Sequence, residues 1–164
     1  MRRMRKVIIS GILFLAMQSS LFSAEPLKKR EDPAAPPEFT LSGLGGEKIS
    51  LSDFKGKPLI LFFWTTWCPY CRKELKQLND MEAELSGNGV GIAAVNVDEP
   101  ADKVKNFIKN YNLDFSVLLD TDGEVAQSFG IMGVPTYIFI DKENRIVFTN
   151  HFFPREEYKK LIAK

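Results

Sequence analysis

The chain of 164 residues is poor in the cysteine and histidine side chains that hold structural zinc, because it contains two cysteines and one histidine. A structural zinc site needs about four such ligands, so the sequence predicts no metal site, and nothing in it indicates a cofactor. The cysteines, Cys68 and Cys71, have only two residues between them. A bridge closing so short a loop constrains the unfolded chain little, which disfavours a purely structural disulfide. We interpret His151 as a surface residue near the last helix.

The sequence also lacks a strong excess of charge, with a formal net charge of +1. Arg2, Arg3, Arg5 and Lys6 all lie within the first six residues, and without these four the 22 basic residues fall to 18, against 21 acidic ones. The remaining chain is slightly acidic. It therefore lacks the basic surface that nucleic acid binding requires, and a nucleic acid partner is not expected.

No uninterrupted apolar run reaches the roughly 20 residues that span a bilayer as a helix. Residues 1–24 instead have the pattern of an export signal, with a basic start, an apolar stretch at residues 7–17 and small or polar residues up to Ala24. Phe22 fits a small-x-small cleavage site poorly. Two outcomes therefore stay open: a cleaved signal peptide, which we favour, or an N-terminal anchor formed by residues 7–22. Both predict a periplasmic or other extracytoplasmic location, where thiol chemistry is common.

Residues 25–38 predict a proline-rich linker, because they contain four prolines among charged residues and show no apolar periodicity. One domain is expected at residues 39–164, and the length and the ordinary balance of apolar and charged residues agree with a single domain. If the signal is removed, this domain is expected to be soluble.

Alternating apolar runs and amphipathic stretches predict an α/β domain. Strands are predicted at residues 39–44, 47–51, 58–64, 90–97, 117–119, 137–140 and 145–149, with the first two and the last two forming hairpins. Helices are predicted as a single turn at residues 52–56, then from Pro69 until Gly87-Asn88-Gly89 stops the run, at 101–111, at 125–129 and from Arg155 onward. Inward-facing residues are expected in the 101–111 helix and in the last helix: Val104, Phe107, Ile108, Tyr111, Tyr158, Leu161 and Ile162.

The two cysteines fall where a buried strand meets a helix. Cys68 precedes the first helical turn, whose free amides and dipole favour a thiolate, so Cys68 is the predicted nucleophile. Pro69 suits the first helical position because it has no amide hydrogen to leave unpaired. Cys71 lies about one turn further along and can resolve a mixed disulfide on Cys68. The pair is therefore predicted to cycle between dithiol and disulfide.

Three motifs together resemble the TlpA/ResA-type extracytoplasmic thioredoxins. They are FFWTTWCPYC at residues 62–71, VNVDE at 95–99 and GVPT at 133–136. The similarity runs from about Phe39 to the C-terminus. It implies a thioredoxin-like fold, in which a central mixed β-sheet is flanked by helices, with an N-terminal β-hairpin and an inserted β/α segment. Thr65, three residues before Cys68, also matches the Thr-x-x-Cys spacing of peroxiredoxins, but the C-x-x-C pair outweighs this match.

The resemblance implies roles for residues on both sides of the cysteine pair. Pro135 is expected to be cis and to face the cysteines, leaving the backbone of Val134 free to pair with an extended substrate segment. The side chains of the motif itself are expected to contact substrate: Trp67, Pro69 and Tyr70.

Glu99 matches a buried acid of the family. Ordinary thioredoxins carry an aspartate six residues before the first cysteine, where this chain has Phe62, so the acid–base role would pass to Glu99. A carboxyl in an apolar setting has a raised pKa and could exchange a proton with Cys71. The alternative is that Glu99, followed by Pro100, only starts the next helix.

The resemblance implies a protein that reduces disulfides of exported proteins, with apocytochrome c as a possible client and a membrane thiol reductase as electron donor, and we expect it to be a monomer. Two alternatives stay open. Pro69 and Tyr70 between the cysteines differ from the Gly-Pro of strongly reducing thioredoxins, so a disulfide-donating oxidant is one alternative. A redox-inactive binding module with a thioredoxin fold is the other, although the intact cysteines and Pro135 disfavour it.

Overall fold

A computed structural model describes residues 34–162, with side chains described up to residue 159. The predicted signal or anchor at residues 1–24 and most of the predicted linker lie outside these residues. The strands are β1 (Thr40–Gly43), β2 (Lys48–Ser50), β3 (Leu59–Trp64), β4 (Gly91–Val97), β5 (Ser116–Asp120), β6 (Thr136–Ile140) and β7 (Ile146–Asn150). The helices are α1 (Pro69–Gly87), α2 (Ala101–Ile108), α3 (Glu124–Ser128) and α4 (Arg155–Ile162), and a 3₁₀ helix covers Leu51–Phe54.

The seven strands form one mixed sheet in the order β2-β1-β5-β4-β3-β6-β7. Strand β3 lies inside it, parallel to β4 and antiparallel to β6. All six residues of β3 are buried, as expected for a continuous apolar strand covered on both faces. The central mixed sheet and the N-terminal β1–β2 hairpin agree with the predicted architecture, and α2 with β5 supplies the added β/α segment.

Alternate residues of β3 face two separate layers of the core. Ile60, Phe62 and Trp64 point towards α1, α2 and α4. Leu61 and Phe63 point towards the 3₁₀ helix and α3. The sheet is covered on both sides, and the C-x-x-C motif follows the carboxyl end of β3, next to the carboxyl end of the parallel strand β4.

Helix α1 presents the predicted apolar face to the core. Its buried residues are Cys71, Glu74, Leu75, Leu78, Met81 and Leu85, of which all except Glu74 follow the spacing seen in the sequence. The helix ends at Gly87, and the Asn88 amide bonds back to the last turn. The first cysteine lies just outside this helix and the second within its first turn.

The end of α2 differs from the prediction. Helix α2 ends at Ile108, and the predicted extension to Tyr111 is wrong: Tyr111 lies beyond the helix, half-buried, and stacks on Phe107 with ring centroids 4.9 Å apart. In the last helix Tyr158 is buried as expected, while the predicted burial of Leu161 and Ile162 lies outside the described side chains.

The end of the predicted linker packs on the domain. Pro36 is buried, and the Ala34 carbonyl accepts a hydrogen bond of 2.9 Å from the Ile146 amide of β7. Residues 34–38 are therefore part of the domain surface. Within residues 34–162, no helix is long and apolar enough to cross a membrane.

Candidate active site

Cys68 is the N-cap of α1, and Pro69 occupies its first position. The two cysteines are in the dithiol form, and both are buried, Cys68 at 4% exposure and Cys71 fully. The backbone amide of Cys71 donates to the Cys68 sulfur at 3.2 Å. This places a free helix amide on the sulfur that is predicted to attack, which favours negative charge there.

Cys71 lies deeper than Cys68, against the sheet. Its burial and its hydrogen bond with Cys68 raise the pKa of the Cys71 thiol to about 12. Cys71 therefore stays protonated at neutral pH until another group accepts its proton. The two cysteines thus differ in the way that an attacking and a resolving cysteine require.

Glu99 lies directly after β4, buried beside the loop that leads to Cys68. Its carboxylate accepts hydrogen bonds from the backbone amide of Thr66 at 2.6 Å, the hydroxyl of Thr66 at 2.6 Å and the side-chain amide of Asn96 at 2.8 Å. The ammonium group of Lys103 forms an ion pair with it at 2.7 Å. Glu99 thus fixes a loop residue two positions before the nucleophile.

These contacts correct one expectation from the sequence. Burial raises the pKa of Glu99, but its hydrogen bonds with Lys103, Thr66 and Asn96 outweigh burial and hold that pKa below its ordinary value. The predicted raised pKa of Glu99 is therefore wrong, because the setting is polar. The alternative, that Glu99 only starts the next helix, is also incomplete. Helix α2 begins at Ala101, and the Glu99 carboxylate bonds the loop before Cys68.

Arg72 bonds the same loop through the backbone carbonyl of Thr66. The guanidinium of Arg72 donates to the Thr66 carbonyl at 3.0 Å and lies 5.7 Å from the ring centre of Phe107. Thr66 is therefore bonded through its amide, its hydroxyl and its carbonyl. The segment from β3 to Cys68 is held on both sides before any substrate arrives.

Glu74 is a buried acid of the site that the sequence reasoning missed. It lies three residues after Cys71 and accepts hydrogen bonds from the Tyr137 hydroxyl at 3.0 Å and the Phe153 amide at 3.2 Å. Burial, the charge of Glu74 and its hydrogen bond, and the nearby Cys71 all raise the pKa of Tyr137, so the phenol stays a donor. The sequence did contain a signal for Glu74, because it is a charged residue next to Leu75 on the apolar face predicted for α1.

The loop before β6 faces the nucleophile. The Val134–Pro135 peptide bond is cis, as the resemblance implies. The thiol of Cys68 lies 3.8 Å from the Val134 carbonyl oxygen. Val134 is half-buried, and its carbonyl brings the loop to Cys68, while Pro135 follows it in the same loop and is buried. His151, exposed as predicted, has its Nδ1 atom 2.9 Å from the Pro135 carbonyl oxygen.

The surface around Cys68 is apolar and open. Trp67 is 62% exposed, Tyr70 66% and Met132 97%, and Pro69 is also exposed. Beside them lies a groove of about 470 Å³, lined by Thr65, Trp67, Val97, Asp98, Ala126, Ile131, Met132, Gly133 and Val134. Such exposed apolar patches usually mark a binding surface. Across residues 34–162, no three His, Cys, Asp or Glu side chains are grouped so that they could hold a metal ion.

Comparison with known proteins agrees with this geometry. The sequence profile of the AhpC/TSA family matches residues 33–149. The chain belongs to this family. The thiol–disulfide oxidoreductase ResA of Bacillus cereus is 38% identical over 141 residues, which cover 86% of this chain and 80% of that protein. With a C-x-x-C pair at a helix N-terminus and this relative, the chain is a ResA-type thiol–disulfide oxidoreductase.

Two solved structures confirm the predicted thioredoxin-like fold. StoA from Bacillus subtilis is 32% identical with a TM-score of 0.66, over 80% of this chain and 100% of that chain. The thioredoxin domain of a thiol–disulfide oxidoreductase from Bacteroides vulgatus is 28% identical with a TM-score of 0.70, over 80% of this chain and 95% of that one. The α/β architecture read from the sequence is therefore confirmed.

Proposed function

We propose that this chain works outside the cytoplasm as a reductase that transfers two electrons from its dithiol to disulfides in exported proteins. The observation that carries the proposal is the asymmetry of the pair. Cys68 caps α1 next to an open apolar surface, while Cys71 is fully buried with a raised pKa.

In the first step the Cys68 thiolate attacks one sulfur of the substrate disulfide. A bond forms between that sulfur and Cys68, the substrate S–S bond breaks, and the other substrate sulfur leaves as a thiolate that takes up a proton. We expect the Val134 backbone, which lies beside Cys68, to pair with an extended substrate segment. Trp67, Pro69 and Tyr70 contact the residues around the substrate cysteine.

In the second step Cys71 loses its proton and attacks the sulfur of Cys68. The mixed disulfide breaks, the second substrate thiol is released, and a Cys68–Cys71 disulfide remains. We propose Glu74 as the proton acceptor, because it is buried on the same helix three residues after Cys71 and bonds Tyr137, whose phenol lies close enough to Cys71 to feel its charge. Glu99, the proton carrier expected from the sequence, acts instead as a positioning residue for the loop before Cys68.

The reducing direction is proposed from the family resemblance. Strong disulfide donors are oxidising because their reduced form is stabilised. Burial disfavours the Cys71 thiolate, so ionisation of this cysteine adds no stability to the reduced form, whereas the helix amide at the Cys68 sulfur does favour a thiolate there. The oxidant therefore stays the alternative that the reduction potential tests, and the exposed apolar surface around Cys68 disfavours a redox-inactive binding module.

The partners are proposed from the family resemblance and the export-type residues 1–24. Apocytochrome c, with two cysteines in its haem-binding site, is the client we propose. A membrane thiol reductase would return the pair to the dithiol form, and the protein would act as a monomer. Fractionation of cells that express the full chain tests the location, and the mass of the mature protein separates a cleaved signal from an anchor at residues 7–22.

The reduction potential of the Cys68–Cys71 couple tests the direction. The protein is equilibrated in buffers of stepped thiol–disulfide ratio, alkylated, and the two forms are counted by mass. A value at or below the roughly −270 mV of thioredoxin supports a reductase. A value near the roughly −120 mV of the oxidant DsbA would reverse the direction.

A further inference from the structure

We infer that His151 is a positioning residue that sets the substrate-binding backbone at Val134, and this inference rests on the proposed function. The His151 Nδ1 atom lies 2.9 Å from the Pro135 carbonyl oxygen and 3.2 Å from the Thr136 hydroxyl oxygen. The Thr136 hydroxyl lies 2.7 Å from the Gly133 carbonyl oxygen. Together these bonds occupy the carbonyls on both sides of Val134.

Only one arrangement of hydrogens satisfies this chain of contacts. The carbonyls of Gly133 and Pro135 can only accept. The Thr136 hydroxyl therefore donates to Gly133, and its oxygen is left to accept. Nδ1 of His151 must then carry the hydrogen, which it shares between Pro135 and Thr136. These contacts thus require a hydrogen on Nδ1 of the ring.

The position of His151 follows from a β-bulge in the last hairpin. Ile140 pairs with Ile146, and a regular ladder from there would pair Tyr137 with Thr149. The register shifts between Phe139 and Ile140, so that Tyr137 pairs with Asn150 instead. One extra residue in β7 therefore moves the following residue, His151, into the place opposite Thr136.

This arrangement leaves the backbone of Val134, between the two bonded carbonyls, as the part of the loop that faces Cys68. The Gly133 carbonyl accepts a hydrogen bond from the Thr136 hydroxyl, and the Pro135 carbonyl accepts one from His151. The Val134 carbonyl instead faces the Cys68 thiol at 3.8 Å. A polypeptide substrate would pair with this backbone, whereas a small disulfide needs only the sulfur of Cys68. Loss of the His151 bond should therefore affect the two kinds of substrate differently.

The test compares variants that differ in one donor. His151→Asn places an amide N–H where Nδ1–H lies, His151→Gln places it near the Nε2 position, and His151→Ala removes it. For a short synthetic peptide closed by one disulfide, we expect kcat/KM to fall about fivefold to tenfold in the Ala and Gln variants, mainly through KM. His151→Asn should restore it. Reduction of hydroxyethyl disulfide should change by less than about twofold in all three.

Equal losses on both disulfides, an Asn variant as impaired as the Ala variant, or an unchanged peptide KM in the Ala variant would overturn the inference. Denaturant unfolding of each variant identifies one that fails to fold. If the wild-type protein reduces neither disulfide, the proposed function fails instead. Nitrogen NMR of the imidazole then still decides the geometry, because an Nε2–H tautomer contradicts the contacts described.

Discussion

Glu99 Oε2 lies 2.6 Å from the amide nitrogen of Thr66, two residues before the nucleophile. Glu99→Gln replaces a carboxylate, whose two oxygens both accept, by an amide with one acceptor oxygen and one donor NH₂ group. At least one buried donor therefore loses its partner. We expect the free energy of unfolding at neutral pH to fall by about 1–3 kcal/mol. The control is Asp98→Asn, since this neighbour is exposed and asparagine tolerates its positive φ of 51°; it should change stability by less than about 0.5 kcal/mol.

The same pair predicts a pH dependence. The pKa of Glu99 is lower in the folded protein than its ordinary value of 4.5, so its stabilisation is fully present above that value and is lost as pH falls through the lowered pKa. The gap between wild-type and Glu99→Gln should therefore narrow in acid. Urea unfolding at about pH 7 and about pH 3 measures it. A gap that widens in acid would show that folding raises the pKa of Glu99 instead of lowering it.

Glu74→Gln should slow the resolving step and spare the first attack. The change keeps the hydrogen-bonding shape towards Tyr137 but removes the group that accepts the Cys71 proton. The slowing is expected near the low end of the roughly 10²–10⁴-fold range of general acid–base help, because thiols ionise readily. Stopped-flow kinetics of a preformed mixed disulfide measures this step.

Glu84→Gln is the matched control for Glu74. Glu84 lies on the same helix and also accepts a hydrogen bond from a tyrosine hydroxyl, that of Tyr158, but it is exposed. Equal slowing in both variants would mean that the helix, rather than the acid beside Cys71, governs the rate.

Cysteine variants should separate attack from resolution. In Cys71→Ser the Cys68 thiolate still attacks, but the resolving sulfur is missing, so a mixed disulfide with substrate accumulates. In Cys68→Ser the remaining thiol is fully buried and no complex should form. Non-reducing gels with mass spectrometry show the trapped species. Complexes found only with Cys68→Ser would exchange the two roles.

Cys71 should also resist modification in the Cys68→Ser protein. Burial is the largest cause of its pKa of about 12, and burial survives this substitution. Alkylation by iodoacetamide should therefore stay slow at neutral pH and rise with each step towards alkaline pH until the protein unfolds. Rapid alkylation at neutral pH in a folded sample would show that Cys71 is accessible and readily ionised.

Local patterns in the sequence predicted the elements well, because each strand and helix leaves its period in the apolar residues. The cysteine pair was predicted for the same reason, as a strand-to-helix junction is a local feature. The pKa of Glu99 could not be predicted, since its partner Thr66 is 33 residues away and a sequence does not show which polar groups surround a buried acid. The contact between His151 and the Pro135 carbonyl could not be predicted either, because it depends on the β-bulge between β6 and β7. A shift of one residue in that pairing would place a different residue opposite Thr136.

The Ala34–Ile146 hydrogen bond affects how readily the protein self-associates. Strand β7 is the last strand of the sheet, and an open edge strand invites pairing with another chain. The incoming chain at Ala34 occupies one backbone amide of that edge. A shortened chain beginning at Phe39 would expose it, and we expect such a chain to self-associate more readily as its concentration rises.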